Sequence, residues 1–148
     1  HYYFGNLAGL RSAIAKQASN DLIIPVADAL CATTSTDELV QAAVEVTTAA
    51  FNDAAGVALL THMITGAAHY PDVAEVLAED MGKARAKLAR HLVDLDSTWS
   101  EAEALDAAGL FIGALDGIVL HAVTFPTGAA APVARIERLI RTVFTAAS

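Results

Sequence analysis

Between Ala107 and Val123 the chain carries only two strongly polar side chains, Asp116 and His121. A helix that is apolar nearly all round must be covered on several sides. The run falls short of the roughly twenty residues that a bilayer span needs and holds an Asp near its middle, so burial inside a protein core is the expectation. Within it Gly109, Gly113 and Gly117 recur every fourth residue and share one side of the helix. Each glycine costs a helix about 0.5–1 kcal/mol relative to Ala, a loss that close approach of another helix would offset. That helix could come from the same chain or be the same helix of a second subunit. The broad opposite face, with Leu105, Ala108, Phe111, Leu115, Ile118, Val119 and Ala122, needs cover as well. Two buried faces on one helix fit a bundle that continues across a dimer axis.

The remaining segments supply the other helices of such a bundle. Leu7, Leu10 and Ile14 recur at helical spacing, and a less regular pattern runs through Leu22-Ile23-Ile24 to Leu30, with Pro25 expected to kink or restart the helix. Ser35 with Glu38, and Ser100 with Glu103, have the spacing of capping boxes and predict helix starts at those two places. The first of these helices turns Leu39, Val40, Ala43, Val44, Ala50 and Phe51 inward and ends or bends at Asn52-Asp53. Pro71 suits the first turn of a long amphipathic helix with the stripe Val73, Leu77, Met81, Ala84, Leu88, Leu92 and Leu95 and a charged opposite face. His91, at the edge of that stripe, reads as a half-buried packing residue. A last helix from Pro132 to Thr145 carries Val133, Ile136, Leu139, Ile140, Val143 and Phe144 on one face. Arg135, Arg138 and Arg141 lie on its other face, where salt bridges across a dimer are the expected use. The fold class is therefore all-α, a bundle of about six helices in one domain.

Composition narrows the function. A formal charge of −8 argues that this segment does not itself grip phosphates. The single Cys31 excludes an internal disulfide and fits a reducing cytoplasm. No Gly-rich phosphate loop, His-Glu metalloprotease motif or nucleophile elbow appears, so neither enzymatic activity nor a cofactor is expected. His62 and His69 share a helix face without an Asp or Glu on the same arc, and no metal site is expected.

The opening run Tyr2-Tyr3-Phe4-Gly5-Asn6-Leu7-Ala8-Gly9-Leu10 resembles the place where the TetR family of bacterial transcriptional regulators leaves its DNA-recognition helix. Tyr3 stands where that family usually has His, Phe4 and the turn Gly5-Asn6 match, and so does Gly9-Leu10. Leu7 and Ala8 depart from the usual Lys and Glu. Leu115-Asp116-Gly117-Ile118-Val119-Leu120 is similar to the Leu-Asp-Gly-hydrophobic run of the family's second-last long helix.

The resemblance implies that residues 1–6 are the remnant of a helix-turn-helix head, that most of this head is missing from the sequence, and that residues 7–148 are a ligand-binding and dimerisation domain. Tyr2 and Tyr3 would then be the DNA-binding residues. The implied protein is a homodimeric regulator, a repressor, that binds operator DNA through the missing head and is released by a small, mostly apolar effector. It has no membrane partner. A helical small-molecule-binding or protein-interaction module without DNA binding is the alternative.

Side chains able to build an effector pocket are few. Ala58, Thr61, His62, Thr65 and His69 gather on one arc without formal charge, which suits either a cavity wall or an exposed or partner-facing surface. The expected pocket residues are Phe51, His62, Met63, Thr65, Leu88, Trp99 and Phe111, rings and aliphatic groups for contact with His62 and Thr65 for orientation. The expected dimer interface comprises Gly109, Gly113, Leu115, Gly117 and Ile118 of the glycine-bearing helix with Ile136, Leu139, Ile140 and Val143 of the last.

Overall fold

The computed structural model describes residues 6–124 and 133–145, and their side chains apart from those of residues 51, 119, 121–124 and 133–135. Among these residues the chain is all helical. Helix α1 (Leu7–Ala18) runs through a π-helical turn (Ser19–Ile23) into α2 (Ile24–Leu30). Then follow α3 (Thr36–Asn52), α4 (Ala54–Ala67), α5 (Pro71–Leu95), α6 (Glu101–Thr124) and α7 (Val133–Val143). Since α1 and α2 form one continuous rod, the fold counts as the expected six helices.

Side-chain caps fix the starts. Asn6 Oδ1 accepts from the Gly9 amide at 2.8 Å, and Asp53 Oδ1 from that of Gly56 at 2.9 Å. At α6 the capping box is complete: the Glu103 amide donates to Ser100 Oγ at 3.2 Å and the Ser100 amide to Glu103 Oε2 at 3.1 Å. At α3 the Glu38 amide donates to Ser35 Oγ at 3.2 Å, but the Glu38 carboxylate reaches one residue further back, to the Thr34 amide at 2.7 Å and the Thr34 hydroxyl at 2.8 Å. The orphan amides of the first turn are satisfied either way.

Two apolar clusters result. The larger joins Leu39, Val40, Ala43 and Val44 of α3 to Leu88 and Leu92 of α5, Ala104, Ala108 and Phe111 of α6, and Ile136, Ile140 and Phe144 of the last helical region, with Trp99 from the α5–α6 turn. Phe111 and Phe144 stack at a tilt, ring centroids 5.1 Å apart. The smaller holds Ala15 and Ala18 of α1, Met63 of α4, and Val73 and Leu77 of α5. Helix α6 packs on α3, α4, α5 and α7, while its side with Leu110, Gly113 and Gly117 is left uncovered within the chain, and no described helix is long and apolar enough to cross a membrane.

Charged groups clasp the α1–α2 rod to α5 along its length. The Arg11 guanidinium donates to both carboxylate oxygens of Asp72 at 2.9 Å and lies 4.5 Å from the centroid of the Tyr70 ring. Lys16 Nζ donates to Asp80 Oδ1 at 2.6 Å, and Lys87 Nζ to Asp28 Oδ1 at 2.6 Å. Of these partners Asp80 is the most deeply placed, 4% exposed, and its second oxygen has no hydrogen-bond partner. Lys16→Met is therefore expected to lower the unfolding free energy measured in urea by about 2 kcal/mol, because it strands a buried carboxylate. Lys16→Met combined with Asp80→Leu should recover most of that loss.

Candidate functional site

Pro25 carries no amide hydrogen, and in a regular helix its ring would press on the carbonyl four residues back, that of Asp21. The chain answers by widening the turn ahead of it. The Ile24 amide bonds to the Ser19 carbonyl, five residues back, and Pro25 enters α2 in its first turn. The expected kink or restart at Pro25 is thus realised as a π turn in an unbroken rod. Such turns occur frequently at functional sites.

Two adjoining cavities flank this turn. The outer one, about 240 Å³, lies between Asp21, Leu22, Pro25 and Val26 of the rod, Val46, Ala49 and Ala50 of α3, and Asp53, Gly56, Val57 and Leu60 around the start of α4. The inner one, about 80 Å³, is lined by Ile23, Ala27 and Leu30 of the rod, Met81, Ala84 and Leu88 of α5, and Phe111, Ile112 and Asp116 of α6. Leu22, Val26, Leu60 and Leu115 line both and form the partition. The inner cavity borders the larger cluster through Leu30, Leu88 and Phe111 and the smaller through Ile23. It marks the seam at which the two parts of the core meet.

Gly56 has a definite reason here. A Cβ at this position would come within 2.1 Å of Asp53 Oδ2, so a side chain would expel the carboxylate that caps α4 at the rim of the outer cavity.

Asp116 is the polar group of the inner cavity. Its side chain has no hydrogen-bond or ion-pair partner among the described residues, and burial pushes its carboxyl up to about 6. His91, by contrast, is a packing residue: half-buried, it shares a hydrogen bond of 2.9 Å between Nε2 and the Thr33 hydroxyl, and burial lowers its pKa.

The structure brings some of the expected pocket residues together and separates others. Leu88 and Phe111 line the inner cavity. Met63 is buried in the smaller cluster and Trp99 in the larger. His62 and Thr65 are exposed, as are Ala58 and His69 of the same arc. The hydroxyls there turn back to their own helix, Thr61 donating to the Val57 carbonyl and Thr65 to that of Thr61, each at 2.8 Å. This arc is the outer surface of the chain. The Phe51 side chain, Tyr2 and Tyr3 lie outside the described residues. Leu22, Val26, Leu60 and Asp116 escaped the sequence reading as pocket residues; Asp116, the lone acid of an apolar run, carried the one signal that could have found them.

Among the expected interface residues, Gly109 faces inward, and a Cβ on it would meet Arg85 Nε at 2.9 Å. The Arg85 side chain crosses this glycine to donate to the Leu105 carbonyl at 2.9 Å. Gly113 and Gly117 open onto space, with nothing within 4 Å of an added Cβ. Leu115 and Ile118 are half-buried, Ile136, Ile140 and Val143 are buried within the chain, and Leu139 is 48% exposed. Arg141 pairs within the chain, with Asp37 at 2.7 Å and Glu137 at 3.3 Å, where a contact across a dimer was expected. Arg138 is exposed, and the Arg135 side chain lies outside the described residues.

Residues 34–146 match the family model described as tetracyclin repressor-like, C-terminal domain. The chain belongs to the TetR family. No curated protein and no solved structure gives a significant match. In this TetR-like domain the cavities open beside the rod that begins at Leu7, ahead of the matched region.

Burial of Asp116 has a measurable cost. A carboxyl raised from 3.8 to about 6 binds its proton more tightly folded than unfolded, so its contribution to stability is fully present below pH 4 and is lost as pH rises through 6. Asp116→Asn should therefore stabilise the protein at pH 7 by about 1–2 kcal/mol, the full linkage value being reduced by partial solvent access. Urea unfolding at pH 4.5 and pH 7 should show the difference between the two proteins shrinking at the lower pH.

Proposed function

We propose that this chain is the effector-binding and dimerising body of a cytoplasmic transcriptional regulator. The regulator is a repressor, has no enzymatic activity, and grips operator DNA as a homodimer through helix-turn-helix heads. Tyr2 and Tyr3 belong to the end of that head. A small, mostly apolar effector enters the cavities and releases the DNA. The observation that carries this reading is the position of the cavities: their walls are the π turn and α2, so whatever fills them pushes on the rod that begins at Leu7. An effector relieves repression only by binding better to a form whose heads are wrongly spaced for two half-sites, and the rod is the element that can set this spacing.

The net charge of −8 supports assigning DNA contact to the head and not to this body. The test uses the complete regulator and compounds selected by thermal shift. Selected binders should weaken operator binding at least tenfold, and Leu115→Trp, which fills the partition between the cavities, should abolish both the thermal shift and the weakening. Binders that raise the melting temperature yet leave operator affinity unchanged would contradict the release mechanism.

Dimerisation is assigned to the side of α6 that carries Leu110, Gly113 and Gly117, together with Leu139 of α7. Leu110 is 62% exposed, so this side leaves a large apolar side chain beside two uncovered glycines. Light scattering at tens of micromolar should return the mass of two chains. Gly113→Lys, which meets nothing within its own chain, should return one chain with unchanged helical circular dichroism. A monomer mass for the unmodified protein would overturn the assignment.

A further inference from the structure

The titratable side chains lining the two cavities are all carboxylates: Asp21 and Asp53 at the outer one, Asp116 at the inner. No Lys, Arg or His lines either cavity among the described residues. We propose, building on the effector reading above, that the effector is a cationic amphiphile, an apolar body bearing an ammonium group that pairs with Asp116.

The three carboxylates are not equivalent. Asp21 accepts from Gln17 Nε2 at 3.0 and 3.1 Å, and Asp53 is committed to the Gly56 amide. Asp116 keeps its full acceptor capacity and faces a wall of Leu, Ile, Ala, Met and Phe side chains. A neutral apolar guest would leave that carboxylate dry and unpaired, and an anionic guest would add like-charge repulsion. An ammonium supplies the missing charge and up to three donors. Asp21 and Asp53, beside the outer cavity, make the approach negative and draw a cation toward it. Together the cavities fall at the low end of the roughly 300–1,000 Å³ of small-molecule pockets, which favours a single chain or ring over a large drug-like scaffold.

Three probes of equal length decide the matter by calorimetry at pH 7.5: n-octylammonium, octanol and octanoate. On the unmodified protein octylammonium should bind about tenfold tighter than octanol, and octanoate weaker than both. Asp116→Asn should bring octylammonium to within about threefold of octanol. Octanol or octanoate binding as tightly as octylammonium, or an undiminished ammonium preference in Asp116→Asn, would overturn the proposal. Leu115→Trp separates this from the underlying reading, with Ala49→Trp at the exposed rim as a second variant less demanding of the core. If either folded variant loses all three probes while Asp116→Asn keeps its preference, the charge assignment alone fails. If both folded tryptophan variants bind octanol and octylammonium unchanged, or if the unmodified protein binds no probe, the cavity reading fails with it.

Discussion

The fold depends on how one helix passes a proline. Pro25 lacks a donor, yet the chain from Leu7 to Leu30 remains a rod whose parts pack on α3, α4 and α5. A π turn keeps the rod and moves the misfit into its width, and beside it Leu22 and Val26 line the cavities. The cavities are the counterpart of that compromise.

Ion pairs and apolar contacts together hold the rod in place. Arg11 with Asp72, Lys16 with Asp80 and Lys87 with Asp28 tie it to α5, while Ala15 and Ala18 pack in the smaller apolar cluster and Leu30 in the larger. The Lys87–Asp28 pair is solvated, and exposed pairs of this kind contribute about 0–1 kcal/mol, whereas the bidentate Arg11–Asp72 pair is part-buried. Only the Lys16–Asp80 pair has a buried partner. On the proposed reading the α1 part of the rod shifts against α5 when a ligand binds, whereas the larger cluster, which holds Leu30 of α2 together with the fully covered Phe144, Leu39 and Leu88, stays fixed. On the proposed reading the molecule divides labour accordingly: a firm half that pairs with a second copy and a looser half that senses.

Local chemistry explains which features could be read from the sequence. Ser35, Ser100 and Pro71 mark helix starts because caps act within one turn, and the apolar run around Phe111 announced a helix covered on several sides. The π turn was less accessible, since Pro25 signals a disturbance but the packing of the rod on α5 decides its form. Cavity-lining residues were hidden for a related reason: Leu22, Leu60 and Leu115 are the same residue type as the core, and whether a leucine fills or lines a space depends on the fit of three helices at once. The uncharged arc of His62 and Thr65 pointed to a special surface without saying which way α4 is rotated. Gly109, Gly113 and Gly117 share a period, yet one lies beneath Arg85 and two lie open, a distinction set by the neighbouring helix.

On the proposed reading, occupation of the cavities acts on the π turn and the rod. Amide hydrogen exchange along the chain, with and without saturating n-octylammonium, tests this most directly. The predicted result is a change in protection concentrated at Ser19–Ile24 and extending into Leu7–Ala18, with the α3–α7 contacts around Leu39 and Ile140 unaltered. Saturating binding that leaves Ser19–Ile24 and α1 exchanging at their original rates would contradict it.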